Sequence, residues 1–442
     1  MISRRDFLGT SSIAATGAAL GAAGCGPSTP DVPGGPEGAS SSPLEELPAS
    51  IERLTSWADR VRPITTEERA TRVENAKRFM RVNQMDALFL TGGTSMIYFT
   101  NVRWGGGERL FTVVIPVDGE PFVVCPAFEE DRAREQLALG PLGGTEVRTW
   151  EEHESPYQRV AEGLRDRGIV SGRVGAEETM QFRFSDGVAQ AAPALEVVAG
   201  TPITAGCRGT KDAHEIELMT IANEATLTAY KAAYLAMEEG MTQSDVSGMI
   251  SAAHARLGFD GSASVQTGQY AALPHGSIQP QVISEGTILL IDGGCGVADY
   301  RSDISRTFVL GQPTDKMKQV FDIEFAAQTA AWRAAAPGVP AEEVDAAARK
   351  VIEDAGYGPG YTYFTHRVGH GIGMDGHEWP YLVRGNQAPL EVGNSFSDEP
   401  GIYIPGEFGV RLEDIMVITP DGADLLTPQS TSLEDPFGTW PD

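Results

Sequence analysis

The sequence predicts a mixed α/β (α+β) fold in two domains, and three observations carry that expectation. From about residue 64 helical and strand-like segments alternate. From about residue 202 long amphipathic helices give way to strands that carry acids. Both regions follow a Pro/Gly/Ser-rich stretch with too little apolar content to pack. A chain of 442 residues suffices for two or three domains with real cores, and 41% apolar with 21% charged residues is an ordinary globular composition.

The first 25 residues read as a targeting segment. Arg4 and Arg5 precede a weakly apolar run rich in Ala and Gly, too short and too Gly-rich for a spanning helix. The pattern resembles a bacterial twin-arginine export signal, and Cys25 after "LGAAG" resembles a lipoprotein acceptor cysteine. The expectation is an exported protein, periplasmic or lipid-anchored through Cys25 to the periplasmic side of a membrane. Residues 26–63 read as a flexible linker and a lead-in helix. Next comes "TTEERATRVENAKRFMRVNQ" (65–84), a helix with Thr/Glu start signals. "MDALFLTG" (85–92) and "LFTVVIPVDGEPFVVCP" (110–126) read as strands, the latter turning at Asp-Gly, and "AFEEDRAREQLALG" (127–140) as a helix. "WGGGERL" (104–110) lacks the lysine and Ser/Thr of a phosphate loop.

From 202 the helices "KDAHEIELMTIANEATLTAYKAAYLAME" and "TQSDVSGMISAAHARLG" come first, with Asp212 as a cap. The strands "TILLIDGG", "DISRTFVLG", "NSFSDEPGIYI" and "GVRLEDIMVIT" follow, with helical stretches near 314–335 and 340–355 between them. The formal net charge of −27 leaves no basic face for phosphates, which excludes nucleic acid as a partner. Besides Cys25 only Cys125, Cys207 and Cys295 occur, without a C-x-x-C, so neither a disulfide scaffold nor a thiolate zinc site is supported.

The informative acids lie on or beside these strands. Asp292 ends "TILLID" and Asp303 opens the next strand, so a hairpin can bring them together; each alone also suits a turn. Glu399 is held extended by Pro400, which turns Asp398 to the opposite face. Arg411 and Glu413 share a strand face. Either each glutamate has one ion-pair partner, or all four carboxylates surround cations. The stretch "HRVGHGIGMDGHEWP" adds His366 and His370 on one face of a strand, then His377 beyond a bend at Gly373. Its Gly371, Gly373 and Gly376 form a G-x-G-x-x-G, but late in the chain and with "EWP" blocking a following helix, so a dinucleotide loop fails on context. One imidazole with four carboxylates suits two divalent ions bridged by carboxylates, Mn²⁺, Fe²⁺ or Co²⁺ before a thiolate-type zinc. Such a pair lowers the pKa of a bridging water and clamps a tetrahedral intermediate, which makes a dinuclear metallohydrolase the reading.

Five motifs in order then carry a resemblance: Asp292-x-Gly294, Asp303, "GHGIG" with His370, "EPGIY" with Glu399, and "RLED" with Glu413. Residues 202–428 resemble the catalytic domain of the pita-bread metallopeptidases, which include prolidase, aminopeptidase P and methionine aminopeptidase. Residues 64–200 resemble the creatinase/prolidase-type N-terminal domain. The resemblance implies a creatinase-like domain over 64–201 and, over 202–442, a pita-bread catalytic domain with a curved antiparallel sheet. It implies two divalent ions, manganese first and cobalt, iron or zinc as alternatives. Asp292 would bind one ion, Asp303 and Glu413 would bridge both, and His370 and Glu399 would complete the second. It puts His275 and His377 beside the substrate and Tyr403 and Arg411 in supporting or substrate-contacting positions, and it makes Glu399 the proton shuttle. His366 would line the cleft or be a hydrogen-bonded core histidine. Arg384 is the cation nearest to hand for a dipeptide's carboxylate.

The implied reaction is hydrolysis of the bond preceding proline by a metal-bridging hydroxide, on small peptides, as an Xaa-Pro dipeptidase or Xaa-Pro aminopeptidase. The implied assembly is a homodimer. The alternatives are a creatinase- or ectoine-type hydrolase or a dimethylsulfoniopropionate lyase of the same fold, or a metal-free binding protein.

Overall fold

A computed structural model describes residues 46–441 of the chain. The segment expected to be an export signal, Cys25 and the stretch up to residue 45 expected to be a linker lie outside the described residues. Residues 46–63 are not a free tether. The short helix Ala49–Glu52 buries Ile51, Ser50 Oγ donates to Ala232 O at 2.8 Å, and Trp57 N donates to Leu257 O at 2.9 Å. Among the described residues no helix is long and apolar enough to cross a membrane.

The helix Thr66–Val82 starts where the Thr/Glu signal places it. Thr65 and Glu68 form a reciprocal cap that satisfies two backbone N–H groups otherwise orphaned at a helix start. Behind it lies a six-stranded mixed sheet in the order Glu146–Trp150, Phe122–Pro126, Thr112–Pro116, Ala87–Thr91, Gly172–Ala176, Leu195–Ala199. Its central strands are buried along their whole length because both faces are covered. Leu88, Leu90, Val113 and Ile115 enter one apolar cluster, while Ala87, Phe89, Val114 and Phe122 enter another.

The C-terminal half repeats one theme twice, a pair of helices backing an antiparallel sheet. The helices Ala213–Tyr234 and Gln243–Leu257 back the strands Asp260–Thr267, Ile288–Val297 and Ile304–Val309. The helices Asp315–Ala334 and Ala341–Asp354 accompany a second sheet, in the order Glu378–Leu382, Gly369–Gly371, Ser395–Asp398, Asp414–Thr419, Gly422–Leu425. A hairpin of Gly401–Ile404 and Phe408–Arg411 lies beside it. A seam joins the two sheets. Glu413 N donates to Ser305 O at 3.1 Å, Arg411 N to Thr307 Oγ1 at 3.1 Å, and Arg306 Nη1 to Glu413 O at 2.7 Å. Arg306 and Asp414, both fully buried, form an ion pair at 2.7 Å; Thr427 and Gln328 also donate to that carboxylate. These further hydrogen bonds offset the cost of burying the pair, while Arg306 Nε is left without a partner.

Two segments read from the sequence as single strands are each broken in two. "NSFSDEPGIYI" forms Ser395–Asp398 in the second sheet and Gly401–Ile404 in the hairpin. "GVRLEDIMVIT" forms Phe408–Arg411 in the hairpin and Asp414–Thr419 in the sheet. The breaks fall at Glu399 and Glu413. The strand expected to carry both His366 and His370 is only Gly369–Gly371, and His366 precedes it in a loop. Close quarters explain the brevity: a Cβ on Gly369 would lie 2.0 Å from Ser397 O, and one on Gly371 2.7 Å from Glu378 O. Glycine is what lets this strand pass between its neighbours.

Candidate metal centre

The hairpin logic for the first two acids holds. Ile288–Val297 pairs with Ile304–Val309 so that Ser305 faces Asp292 and Ile304 faces Gly293, which sets Asp303 one residue beyond. Glu399 and Glu413 enter from the two strand breaks and His370 from the middle of its short strand. All five line one cavity of about 560 Å³ together with His275, His366, His377 and Arg411. Within it three groups each bring one ligand atom per residue within 4.8 Å of the others: Asp292, Asp303 and Glu413; His370, Glu399 and Glu413; Asp303, His370 and His377.

The electrostatics test whether this set suits cations. Arg411 answers Asp292, Nη2 to Oδ2 at 2.6 Å, and donates from Nε to Ser305 Oγ at 2.9 Å. Ser305 Oγ has a single proton for two carboxylates, Asp292 Oδ1 at 3.1 Å and Glu413 Oε2 at 2.7 Å. The other oxygen of Glu413 is buried with no partner. Burial, then the charges of Asp303, Glu399 and Asp292, hold the Glu413 carboxyl well above its ordinary range. Burial and the Asp292 charge push Asp303 up to about 7. Glu399 goes the other way: burial opposes its charge, but the hydrogen bond and charge of His370, then His366 and Arg411, bring it down to about 2. Carboxylates outnumber donors, and an orphaned oxygen points into the cluster. This donor set fits hard divalent ions.

The histidines are oriented by their other nitrogens. His370 Nδ1 donates to Gly371 O at 3.1 Å, which turns Nε2 toward Glu399 at 3.1 Å and Asp303 at 3.9 Å. A backbone carbonyl behind a ligating ring is the usual way to fix which nitrogen binds. His377 stacks on His370, ring centroids 3.8 Å apart. Its Nδ1 lies 3.2 Å from Arg367 Nη2. A guanidinium only donates, so His377 carries its proton on Nε2. Burial, His370 and Arg367 all lower the pKa of that ring, which keeps it neutral. Behind it, Glu378 pairs with Arg208 at 2.5 Å and Lys211 at 3.2 Å, while Asp375 meets Arg208 at 2.5 Å and Thr94 Oγ1 at 2.5 Å. These contacts fasten the His377 loop to residues 94–211.

His366 lines the cavity, but both of its nitrogens are engaged within the protein. Nδ1 donates to Arg367 O at 2.8 Å and Nε2 accepts from Tyr403 OH at 2.8 Å, whose oxygen accepts from Arg411 Nη1 at 3.0 Å. Its expected polar contact with substrate is therefore spent on this chain. Tyr403 is buried behind the wall rather than on it. Arg384 corrects the sequence reading. It is exposed, its guanidinium 5.8 Å from the Tyr361 ring, and it does not line the cavity. The cation that does is Arg367, next to His366, which the sequence reading passed over. Also missed were Ser305 and Ser397, whose hydroxyls reach Glu413 and Glu399 at 2.7 and 3.1 Å. Their signal was present: each stands two residues from an acid of the cluster, on the same face of an extended segment.

Comparison with known proteins agrees with this architecture. Residues 217–420 match metallopeptidase family M24, and residues 72–209 match the creatinase/prolidase N-terminal domain. An Xaa-Pro dipeptidase of Lactobacillus delbrueckii subsp. lactis is 33% identical over 380 residues, covering 82% of this chain and 98% of that protein. A probable dipeptidase PepE of Mycobacterium tuberculosis is 36% identical over 342 residues, 76% of this chain and 88% of that one. Among solved structures, dipeptidase PepE from Mycobacterium ulcerans matches with a TM-score of 0.79 at 33% identity, over 84% of this chain and 99% of its own. An X-Pro aminopeptidase from Thermotoga maritima matches with a TM-score of 0.70 at 26% identity, over 82% and 99%.

Proposed function

The chain belongs to metallopeptidase family M24 and is a metallopeptidase, and from that premise we propose that it is an Xaa-Pro dipeptidase that uses two divalent ions, manganese in the native enzyme. The observation that carries the reading is the complete cluster of Asp292, Asp303, His370, Glu399 and Glu413, in a chain that aligns over 98% of a protein named for that activity. The residues that would hold the ions are Asp292, Asp303, His370, Glu399 and Glu413. When bound, the ions supply a nucleophilic water at neutral pH and positive charge for the developing oxyanion.

The side chains do the rest. Glu399 takes the proton of the attacking water and delivers it to the leaving amine, a role that suits a carboxylate at the edge of the cluster. His377 presents its Nε2–H to the scissile carbonyl oxygen. His275 flanks the substrate from a loop whose Pro274 O accepts from Arg411 at 2.9 Å. Arg411 and Tyr403 hold Asp292 and His366 in place. The test is a panel of Xaa-Pro dipeptides, longer Xaa-Pro peptides and peptides without proline, with Mn²⁺, Co²⁺, Zn²⁺ or chelator. Metal-dependent cleavage that favours Xaa-Pro dipeptides is expected; no cleavage of any Xaa-Pro peptide with any metal would sink the proposal.

The same proposal takes residues 64–201 as the domain that helps to close the cleft of a homodimeric partner. It takes "SRRDFL" and Cys25 as twin-arginine export with a lipid tether on the periplasmic side. Changing Arg4 and Arg5 together to Lys should strand the protein in the cytoplasmic fraction; unchanged export would remove the twin-arginine assignment.

A further inference from the structure

A second cavity, of about 370 Å³, adjoins the catalytic one, and only Asp292 and Asp303 line both. The edge strand Asp260–Thr267 supplies one wall. Ser264 is registered against Asp292 and Ser262 against Gly294, so both serines stand on the face that carries the Asp292 side chain. Both are exposed. Ser264 Oγ accepts from Gln266 Nε2 at 3.2 Å, which leaves its own proton to give. Ser262 Oγ has no partner among the described residues.

Four charged residues line this cavity, and the three acids among them are already answered. Asp292 and Asp303 belong to the metal cluster. Asp375 accepts from Arg208 on one oxygen and from Thr94 Oγ1 on the other, each at 2.5 Å. The fourth is Arg301. Its backbone is held, with N donating to Gly373 O at 2.8 Å and Gly296 opposite it in the strand pair. Its exposed guanidinium has neither a hydrogen-bond nor an ion-pair partner among the described residues. The acid two positions before it, Asp299, is taken by Arg103 in two bonds of 2.7 and 2.6 Å.

The two cavities differ in what they can hold. The catalytic one offers Tyr361, Val383, Pro274 and imidazole faces to a pyrrolidine ring. The second offers hydroxyls, glycine backbone and one unanswered cation, with no large apolar side chain. A peptide whose scissile bond lies over the cluster reaches both ways from the shared acids. Its proline half suits the first cavity, and the residue before proline is left for the second. Arg301 stands two residues from Asp303, at most about 7 Å of extended chain, which one side chain can span.

We infer that the second cavity takes the side chain of the residue before proline and that Arg301 makes an acidic one, Asp or Glu, the preferred choice; the inference rests on the Xaa-Pro reading of the same site. A carboxylate placed there accepts from the guanidinium, with Ser262 and Ser264 as further donors. A Lys or Arg side chain would meet like charge. A large aliphatic one would cover polar groups without replacing their hydrogen bonds to water.

The experiment compares Glu-Pro with Gln-Pro on the Mn²⁺-loaded wild type, R301Q and R301E. The two dipeptides differ in charge and hardly in shape, so a defect in folding, metal content or turnover cancels in the ratio of their kcat/KM values. Wild type should favour Glu-Pro by about two- to five-fold at low salt, the scale of an exposed ion pair. That advantage should shrink in about 1 M salt. R301Q should bring the ratio close to one, and R301E below one. A wild type that ignores the charge, or an R301Q with the wild-type ratio, overturns the assignment. Cleavage with a ratio that Arg301 does not change would leave the proposed function standing and remove only this pocket. If neither dipeptide is cleaved, both become ligands to titrate onto Mn²⁺-loaded wild type and R301Q. Tighter binding of Glu-Pro that R301Q loses keeps the pocket, and equal binding removes it. Absent cleavage across the whole Xaa-Pro panel removes the proposed function whichever way that titration falls.

Discussion

Glu413→Gln should lose turnover on an Xaa-Pro dipeptide by about 10³-fold or more, the scale seen when a preorganised charge at a reacting centre is removed. It should also bind fewer than two ions per chain. Glutamine keeps the shape of the side chain, and the main-chain contacts at this position, Glu413 N to Ser305 O and Arg306 Nη1 to Glu413 O, do not depend on the carboxylate. The variant should therefore fold. Without metal it should be more stable than wild type, because it relieves a buried oxygen that has no partner and the crowding of Glu413 with Asp303, Glu399 and Asp292. Loss of activity with a gain in metal-free stability separates a ligand from a merely structural residue. Metal analysis by mass spectrometry and thermal unfolding in chelator check both halves. Two ions per chain with near-normal turnover would show that Glu413 does not bridge.

The metal-free protein should lose stability as pH rises from about 4 to 7, and divalent ions should restore it at the upper end. Asp303 titrates near 7 in the folded chain against an ordinary 3.8, mainly through burial and the Asp292 charge. Glu413 shifts in the same direction. Between those pH values the folded state keeps protons that the unfolded state has released. Stability therefore falls with rising pH, by on the order of 4 kcal/mol for Asp303 alone, taking ~1.4 kcal/mol per unit. His370 adds to the trend. Burial disfavours its charge, but Glu399 and Asp303 raise its pKa above the usual 6.5, so its contribution is full below 6.5 and is lost as the pH rises beyond it. Glu399, held down to about 2 against an ordinary 4.5, contributes in the opposite sense but is complete by about pH 5. Divalent ions need these ligands deprotonated, so binding should release protons and strengthen steeply with pH. Thermal unfolding in chelator at pH 5 and 7.5, with and without Mn²⁺, measures this. A flat profile, or Asp303→Asn with the slope of wild type, would refute it.

Much of the candidate site was legible because each acid of the cluster sits in a local pattern with a backbone reason. Asp292 ends an apolar run, Pro400 fixes Glu399, and Gly369 and Gly371 narrow the chain on either side of His370. Long-range partners were not legible. Arg367 reads as an ordinary basic residue until the fold brings Tyr381 and His377 against it. Arg384, closer to His377 in sequence, turns outward over Tyr361. The strand Asp260–Thr267, "DGSASVQT", shows no apolar alternation. It is a strand because all eight residues pair with Leu289–Gly296 of the neighbouring strand. The breaks at Glu399 and Glu413 were hidden for a related reason. Strand propensity continues across each, and only the sheets on either side show that the chain has changed layers.

Those two crossings have a mechanical meaning. Glu399 and Glu413 stand where the polypeptide leaves one layer for another, while Asp292 and Asp303 belong to the facing sheet. Ions held by all four would rivet the layers to each other. Without them the layers are joined at this point by the hydrogen bonds of Ser305 O, Thr307 Oγ1 and Arg306 Nη1, and the acids between them push apart. The chemistry of the cleft and the stiffness of the domain would then share a single fastener, so that an enzyme stripped of its ions is at once inactive and loosened along its own midline.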